Sequence, residues 1–220
     1  MFLEKSARQH TIFVVLIFFC FVSCSNVEEA YYENGNLRYA IEMEDGRYNG
    51  EAVWYYPNGL KQQLSYFVND TLQGKSTRWY NNGKRQSVEH YMDNHLHGLV
   101  TNYDPNGKKI SEEHYHMDTL HGPSVEFYTS GQPRIEGAYF KGLYDGKWFY
   151  YEDDGTIVGM GEFNKGNGRQ RAWYRNGNLK REVNYLKNEK NGKEIWYNPQ
   201  GDTSKILLYD TGQLISTTEF

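Results

Sequence analysis

Two series of glycines run through the chain in step, and their phasing constrains the fold more than any other feature. Gly35, Gly59, Gly83, Gly107, Gly131 and Gly155 lie 24 residues apart; Gly177 follows after 22 and Gly201 after another 24. Gly50, Gly74, Gly98, Gly122, Gly146, Gly168 and Gly192 show the same spacing and the same single 22-residue step, so two residues are missing between Gly155 and Gly168. Aromatic residues hold this phase. Four residues before the first-series glycines stand Tyr31, Tyr55, Trp79, Tyr103, Phe127, Tyr151, Trp173 and Tyr197. Eight residues after them stand Met43, Phe67, Tyr91, Tyr115, Tyr139, Phe163, Tyr185 and Tyr209. A fixed period of this size marks a stack of like supersecondary units, each in contact with its neighbours.

Alternation inside the unit decides strand over helix. Residues 75–80 place Thr77 and Trp79 on one face, and Ser76, Arg78 and Tyr80 on the other. The pairs equivalent to the first, such as Val53 and Tyr55 or Ile195 and Tyr197, make that face the apolar one. The opposite face is mixed. Asn34-Gly35, Asn58-Gly59, Asn82-Gly83, Asn106-Gly107 and Asn176-Gly177 read as tight hairpin turns, because both residue types tolerate positive φ. With 20 Tyr, 22 Gly and a mean hydropathy of -0.83, apolar surface comes from rings rather than aliphatic side chains. The expected fold is all-β, an elongated antiparallel hairpin meander of about eight stacked 24-residue repeats over residues 31–220. At ~4.8 Å per strand it would be roughly 75 Å long.

The first 23 residues form a separate object. Lys5 and Arg8 precede an apolar run over residues 12–22, long enough for a signal-peptide core and short for a membrane span. The run closes on Phe21-Val22-Ser23-Cys24, which resembles a bacterial lipoprotein signal. That resemblance implies cleavage after residue 23, a lipid on Cys24, and a mature chain on the periplasmic or outer side of the cell envelope. Residues 24–30 read as a tether, solvated over Ser25 to Glu29. Cys20 lies inside the apolar run, so Cys24 is the one Cys of the mature chain, and a disulfide framework is excluded. Removing Glu4, Lys5 and Arg8 takes the net charge from -4 to -5. An acidic body argues against nucleic acid and against docking on anionic lipid, leaving the lipid on Cys24 as the membrane contact.

Gly74-Lys75 through Trp79-Tyr80-Asn81-Asn82-Gly83, and Gly168 through Trp173-Tyr174-Arg175-Asn176-Gly177, are clear copies of one block. This block resembles the MORN-variant repeat, and the resemblance extends over nearly all of the mature chain. It implies a β-repeat scaffold, and similar bacterial proteins are often labelled antitoxin-like, which implies protein binding. Fold alone does not assign a function.

Histidine is the one constellation to weigh for chemistry. His90, His95, His97, His114, His116 and His121 share one window. His97 and His121 are equivalent positions, two strands and roughly 10 Å apart, too far for one ion. His95 with His97, or His114 with His116, could chelate Zn or Cu if a strand runs through them. The stronger reading is a hairpin pattern, Leu-His-Gly, so no metal and no cofactor is expected. The acidic pairs Glu112-Glu113 and Asp153-Asp154 are sequence neighbours and point to opposite faces of a strand. No G-x-S-x-G, H-E-x-x-H or phosphate-loop pattern occurs. The expectation is a non-enzymatic envelope module that binds an envelope or secreted protein. Its contacts would be the exposed mixed-face rings Trp54, Tyr56, Tyr80, Tyr128, Tyr150, Tyr174 and Trp196. The alternative is a surface module in which the same rings bind glycan or lipid, or an antitoxin-like binding protein.

Overall fold

A computed structural model describes residues 26–220; the signal segment and Cys24 lie outside them. These residues form one open antiparallel sheet of 18 strands in a meander, the short strand His95–Leu96 and the strand Gly98–Tyr103 both pairing with Arg85–Met92. The array begins before the first phased aromatic. Strand β1, Asn26–Tyr31, pairs with β2, Leu37–Glu44. Most of the stretch read as a solvated tether, Asn26 through Glu29, is therefore strand. Its exposed polar and acidic side chains suit an edge position. The expected strand Lys61–Val68 is β4, while of the expected residues 75–80 all but Tyr80 form the second half of β5, Thr71–Trp79, which runs through Gly74.

Two kinds of turn alternate. At the Asn-Gly sites Gly35 has φ 83° and Asn34 is not in the left-handed region. Gly35 N donates to Tyr32 O at 2.9 Å and Tyr32 N to Asn36 O at 2.8 Å. A three-residue loop of this kind ends in a left-handed residue and a one-residue bulge, and the register shifts between Ala30 and Tyr31. The hairpin turn is as expected, but it spans three residues and only its glycine takes the positive φ. Asn34 serves through its side chain, accepting from Asn36 N at 3.1 Å and donating to Pro57 O in the next turn at 2.8 Å.

The two-residue turns lie at the other edge. Asn69-Asp70 (φ 47° and 64°) and Asp93-Asn94 (φ 52° and 68°) have both central residues left-handed, as a type I′ turn requires. The second glycine series is not turn at all. Between Ile41↔Ala52 and Met43↔Tyr48 the register slips by two residues around Gly50, and the slip recurs from Leu64↔Thr77 to Tyr66↔Gln73, from Leu120↔Tyr115 to Ser124↔Glu113, from Glu136↔Phe149 to Ala138↔Asp145 and from Val183↔Glu194 to Tyr185↔Lys190. The 22-residue repeat lacks it: Gly159↔Ala172 through Asn164↔Asn167 is unbroken. The two missing residues are the bulge.

Both faces carry burial. Val53, Thr77 and Thr101 are buried on the face expected to be apolar, and Ala52, Ser76, Val100, Ser124 and Trp148 on the mixed face. Side chains at mid-strand are covered by their cross-strand neighbours, and the mixed face uses small residues that let bulged strands approach. The Ser65 and Ser76 hydroxyls bond to each other at 2.8 Å. Around the short repeat, large rings take over this row. Trp148 stands 5.0 Å from Tyr139 and 4.7 Å from Tyr144, and Phe163 stands 5.2 Å from Tyr144 and 5.6 Å from Tyr185.

Space for Trp148 comes from Gly137, where an added Cβ would overlap the indole ring. Gly137→Ala should therefore displace Trp148 and cost ~1–3 kcal/mol. Denaturant unfolding followed by tryptophan emission checks this, and an unchanged midpoint would refute the packing described.

Candidate functional site

The seven rings expected on the surface divide into two groups. Tyr56, Tyr80, Tyr128 and Tyr174 lie just beyond strand ends at the Asn-Gly edge. Each hydroxyl donates to a carbonyl one repeat onward: Tyr56 to Trp79 at 2.7 Å, Tyr80 to Tyr103 at 2.9 Å, Tyr128 to Tyr151 at 2.7 Å and Tyr174 to Tyr197 at 2.8 Å. Tyr32 begins the row by donating to Tyr55 at 2.7 Å. These tyrosines stitch hairpin to hairpin. The signal for this role is in the sequence, as Tyr three residues before the turn glycine in five repeats.

Trp54 in β3 (Arg47–Tyr55), Tyr150 in β12 (Leu143–Tyr151) and Trp196 in β16 (Glu189–Tyr197) share the mixed face. All seven rings were expected to be exposed, and every one is half-buried. The sheet's own neighbours cover them: Phe67 lies 6.4 Å from Trp54, and the Arg181 guanidinium sits 5.3 Å over Trp196. Burial raises the Tyr150 hydroxyl pKa, and burial followed by the nearby Tyr144 pushes that of Tyr139 up to about 12. Both rings stay neutral near neutral pH.

Beside Trp196 lies the most buried charge among the described residues. Glu194 is 1% exposed, and its two oxygens accept from Arg181 Nε at 2.6 Å and Lys190 Nζ at 2.7 Å. Burial works against its ionisation, yet the hydrogen bonds from Lys190 and Arg181 prevail and hold the carboxyl below its usual value of 4.5. The arrangement is a charge-satisfied support for the Arg181–Trp196 stack.

The histidines are not paired as expected. His95 Nδ1 meets Asp118 at 2.6 Å, and His114 Nδ1 meets the Pro123 carbonyl at 3.0 Å. His90 Nδ1 meets the Leu99 carbonyl at 2.7 Å. His97 instead faces His116, ring centres 5.0 Å apart, and His116 faces His121 at 6.1 Å. Comparing equivalent positions in adjacent repeats missed this, because His116 stands on the strand between them. Among the described residues no three His, Cys, Asp or Glu side chains converge as a ready-made metal cage. Cys24 lies outside the described residues.

The model of the MORN repeat variant matches residues 26–45, 48–69, 72–93, 96–117, 120–141 and 167–187, more than half of the chain. The chain belongs to the MORN repeat variant family. Each complete matched segment of this MORN-variant chain runs from one type I′ turn to the next across an Asn-Gly-type turn. Residues 142–166, which carry Trp148 and Phe163, fall between matched segments. No curated protein matches the chain.

Two outcomes follow from these contacts. Tyr128→Phe removes one stitching bond and should lower stability by ~0.5–1.5 kcal/mol, read from a urea midpoint; no change would mean that the hydroxyl contributes nothing to the edge. Because the Glu194 pKa is depressed in the fold, its contribution is present above the ordinary value and lost as pH falls through the folded one. The melting temperature should therefore drop on acidification below about 4.5 more steeply in the parent than in Glu194→Gln. Parallel curves would assign no part of acid unfolding to Glu194.

Proposed function

We propose that this MORN-variant array is a non-catalytic scaffold for a protein partner at the cell envelope, tethered by a lipid on Cys24. The observation that carries the reading is the continuous 18-stranded sheet, along which half-buried rings recur at the repeat spacing. Tyr55, Trp79, Tyr103, Phe127, Tyr151, Trp173 and Tyr197 offer such a row on one face, and Trp54, Tyr150 and Trp196 stand on the other. Tyr and Trp are enriched at binding hot spots because they bury large area with few rotatable bonds. MORN-type repeats are binding modules as a class, and the open sheet fits that use. Tyr56, Tyr80, Tyr128 and Tyr174 leave the contact set, since their hydroxyls hold the edge. Tether and array are separable in this reading. The signal resemblance supports the first, and the repeat supports the second.

The test is a crosslinked pulldown of the full-length protein from its native envelope, beside a Trp54→Ala/Trp196→Ala variant and a Cys24→Ser variant. One protein captured by the parent and lost with the double variant is the expected result. Cys24→Ser should move the chain out of the membrane fraction. If no specific protein is captured and tryptophan emission responds to polysaccharide fragments, the surface binds glycan instead and the protein-scaffold reading fails. Retention of Cys24→Ser in the membrane would overturn the lipid tether.

A further inference from the structure

The six clustered histidines fall into two sets. His90, His95 and His114 each commit Nδ1 to a carbonyl or a carboxylate. The side chains of His97, His116 and His121 make ring contacts and no hydrogen bond to any other described residue. The His97 Nδ1 is enclosed by protein without a partner, the one such buried side-chain nitrogen or oxygen among the described residues. An enclosed, unsatisfied imidazole nitrogen costs stability, typically ~1–3 kcal/mol, and is retained where something else satisfies it.

Topology explains why these three meet. β8 (Gly98–Tyr103) pairs with β9 (Lys109–His116) through Gly98↔Tyr115, and continuing that register by one residue sets His97 opposite His116. On the far side of β9, β10 (Thr119–Phe127) carries His121 within the two-residue bulge between Leu120 and Ser124. His116 thus stands on the middle strand, flanked by a histidine from the bulged region on either side. His116 and His121 are exposed and line one surface recess with Met117, Thr119 and Lys141. Lys141, the cation of that recess, is drawn over the Phe140 ring, with Nζ 5.7 Å from the ring centre.

We propose that His97 and His116 together bind a divalent transition-metal ion of the zinc and copper class. Imidazole nitrogen is a preferred ligand for these ions. Two imidazoles sharing a tetrahedral Zn²⁺ at ~2.0–2.1 Å have ring centres about 5 Å apart. The His97–His116 pair stands at 5.0 Å. His121, 6.1 Å from His116 and 5.2 Å from the Phe140 ring, borders this pair without joining it. Water completes the coordination. This site does not depend on the scaffold reading.

The experiment is calorimetric titration of the full-length protein with ZnCl2 at pH 7.5, with imidazole proton and nitrogen NMR shifts as a second readout. One ion per chain is expected, with the largest shifts at His97 and His116. His116→Ala changes an exposed side chain and should weaken Zn²⁺ binding at least as much as loss of an outer-shell partner does, about 10–100-fold. His114→Ala should leave it unchanged. His97→Ala is read in parallel with circular dichroism to confirm folding. No zinc uptake by the parent, or uptake unaltered in His116→Ala, would overturn the proposal.

Discussion

A sheet one layer thick has no second layer to cover it, so each strand must find its stabilisation in its two neighbours and at its two ends. The ends are where this chain departs from an ordinary meander. At the type I′ edge, Asp70 N donates to Tyr48 O at 2.9 Å, Asn94 N to Leu72 O at 3.0 Å and Asp118 N to Leu96 O at 3.0 Å, each one repeat back. The side chains close the same link in reverse: Tyr48 N donates to Asp70, Leu72 N to Asn94 and Leu96 N to Asp118. At the opposite edge tyrosine hydroxyls and asparagine amides reach one repeat forward. Turn backbone that water would otherwise satisfy becomes two ladders along the ribbon. Each bond is modest, but together they fix the spacing of hairpins that share no core. Stability is then a sum over neighbours, and damage at one hairpin stays local.

The short repeat shows what the bulges do. In the regular hairpins two extra residues interrupt the pairing, and a bulge of this kind bends and twists its strand. β13 (Ile157–Asn164) and β14 (Asn167–Trp173) pair without interruption, and the stitching adjusts around them. Gly166 has no side chain with which to cap Tyr144 N. Asn188, two turns farther on, accepts that bond at 2.8 Å and donates to Gly142 O at 2.9 Å. The aromatic cluster of Tyr139, Tyr144, Trp148, Phe163 and Tyr185 gathers at this place. Gly137 and Gly161 supply room that a side chain would fill.

The repeat, its length and its all-β character were legible because turn glycines and rings share one phase. Local chemistry was less so. Asn-Gly suggests a two-residue turn, yet Asn34 takes the Asx role and only its glycine is left-handed. Met117 and Lys141 have no intrinsic preference for positive φ, and the ladder across the edge holds them there (φ 48° and 51°). The acidic run before Tyr31 looks like linker because edge strands and linkers share a polar composition. Exposure of Trp54 or Trp196 depends on how closely Phe67 and Arg181 approach, and on the coil of the sheet, which alternation alone does not encode. The histidine row was hidden for a simpler reason. Repeat arithmetic compares like positions, and His116 is unlike the two residues it joins.

The missing bulge also gives the ribbon an address. In a uniform array every hairpin presents the same geometry, and anything that grips several of them can bind in many equivalent frames, sliding by one unit without loss. One hairpin with unbroken pairing ends that degeneracy. It divides the array into unequal arms and acts as a fiducial from which positions can be counted in either direction. A ligand that spans it has a single frame, and a recombination event that slips the array by one unit would misplace the mark.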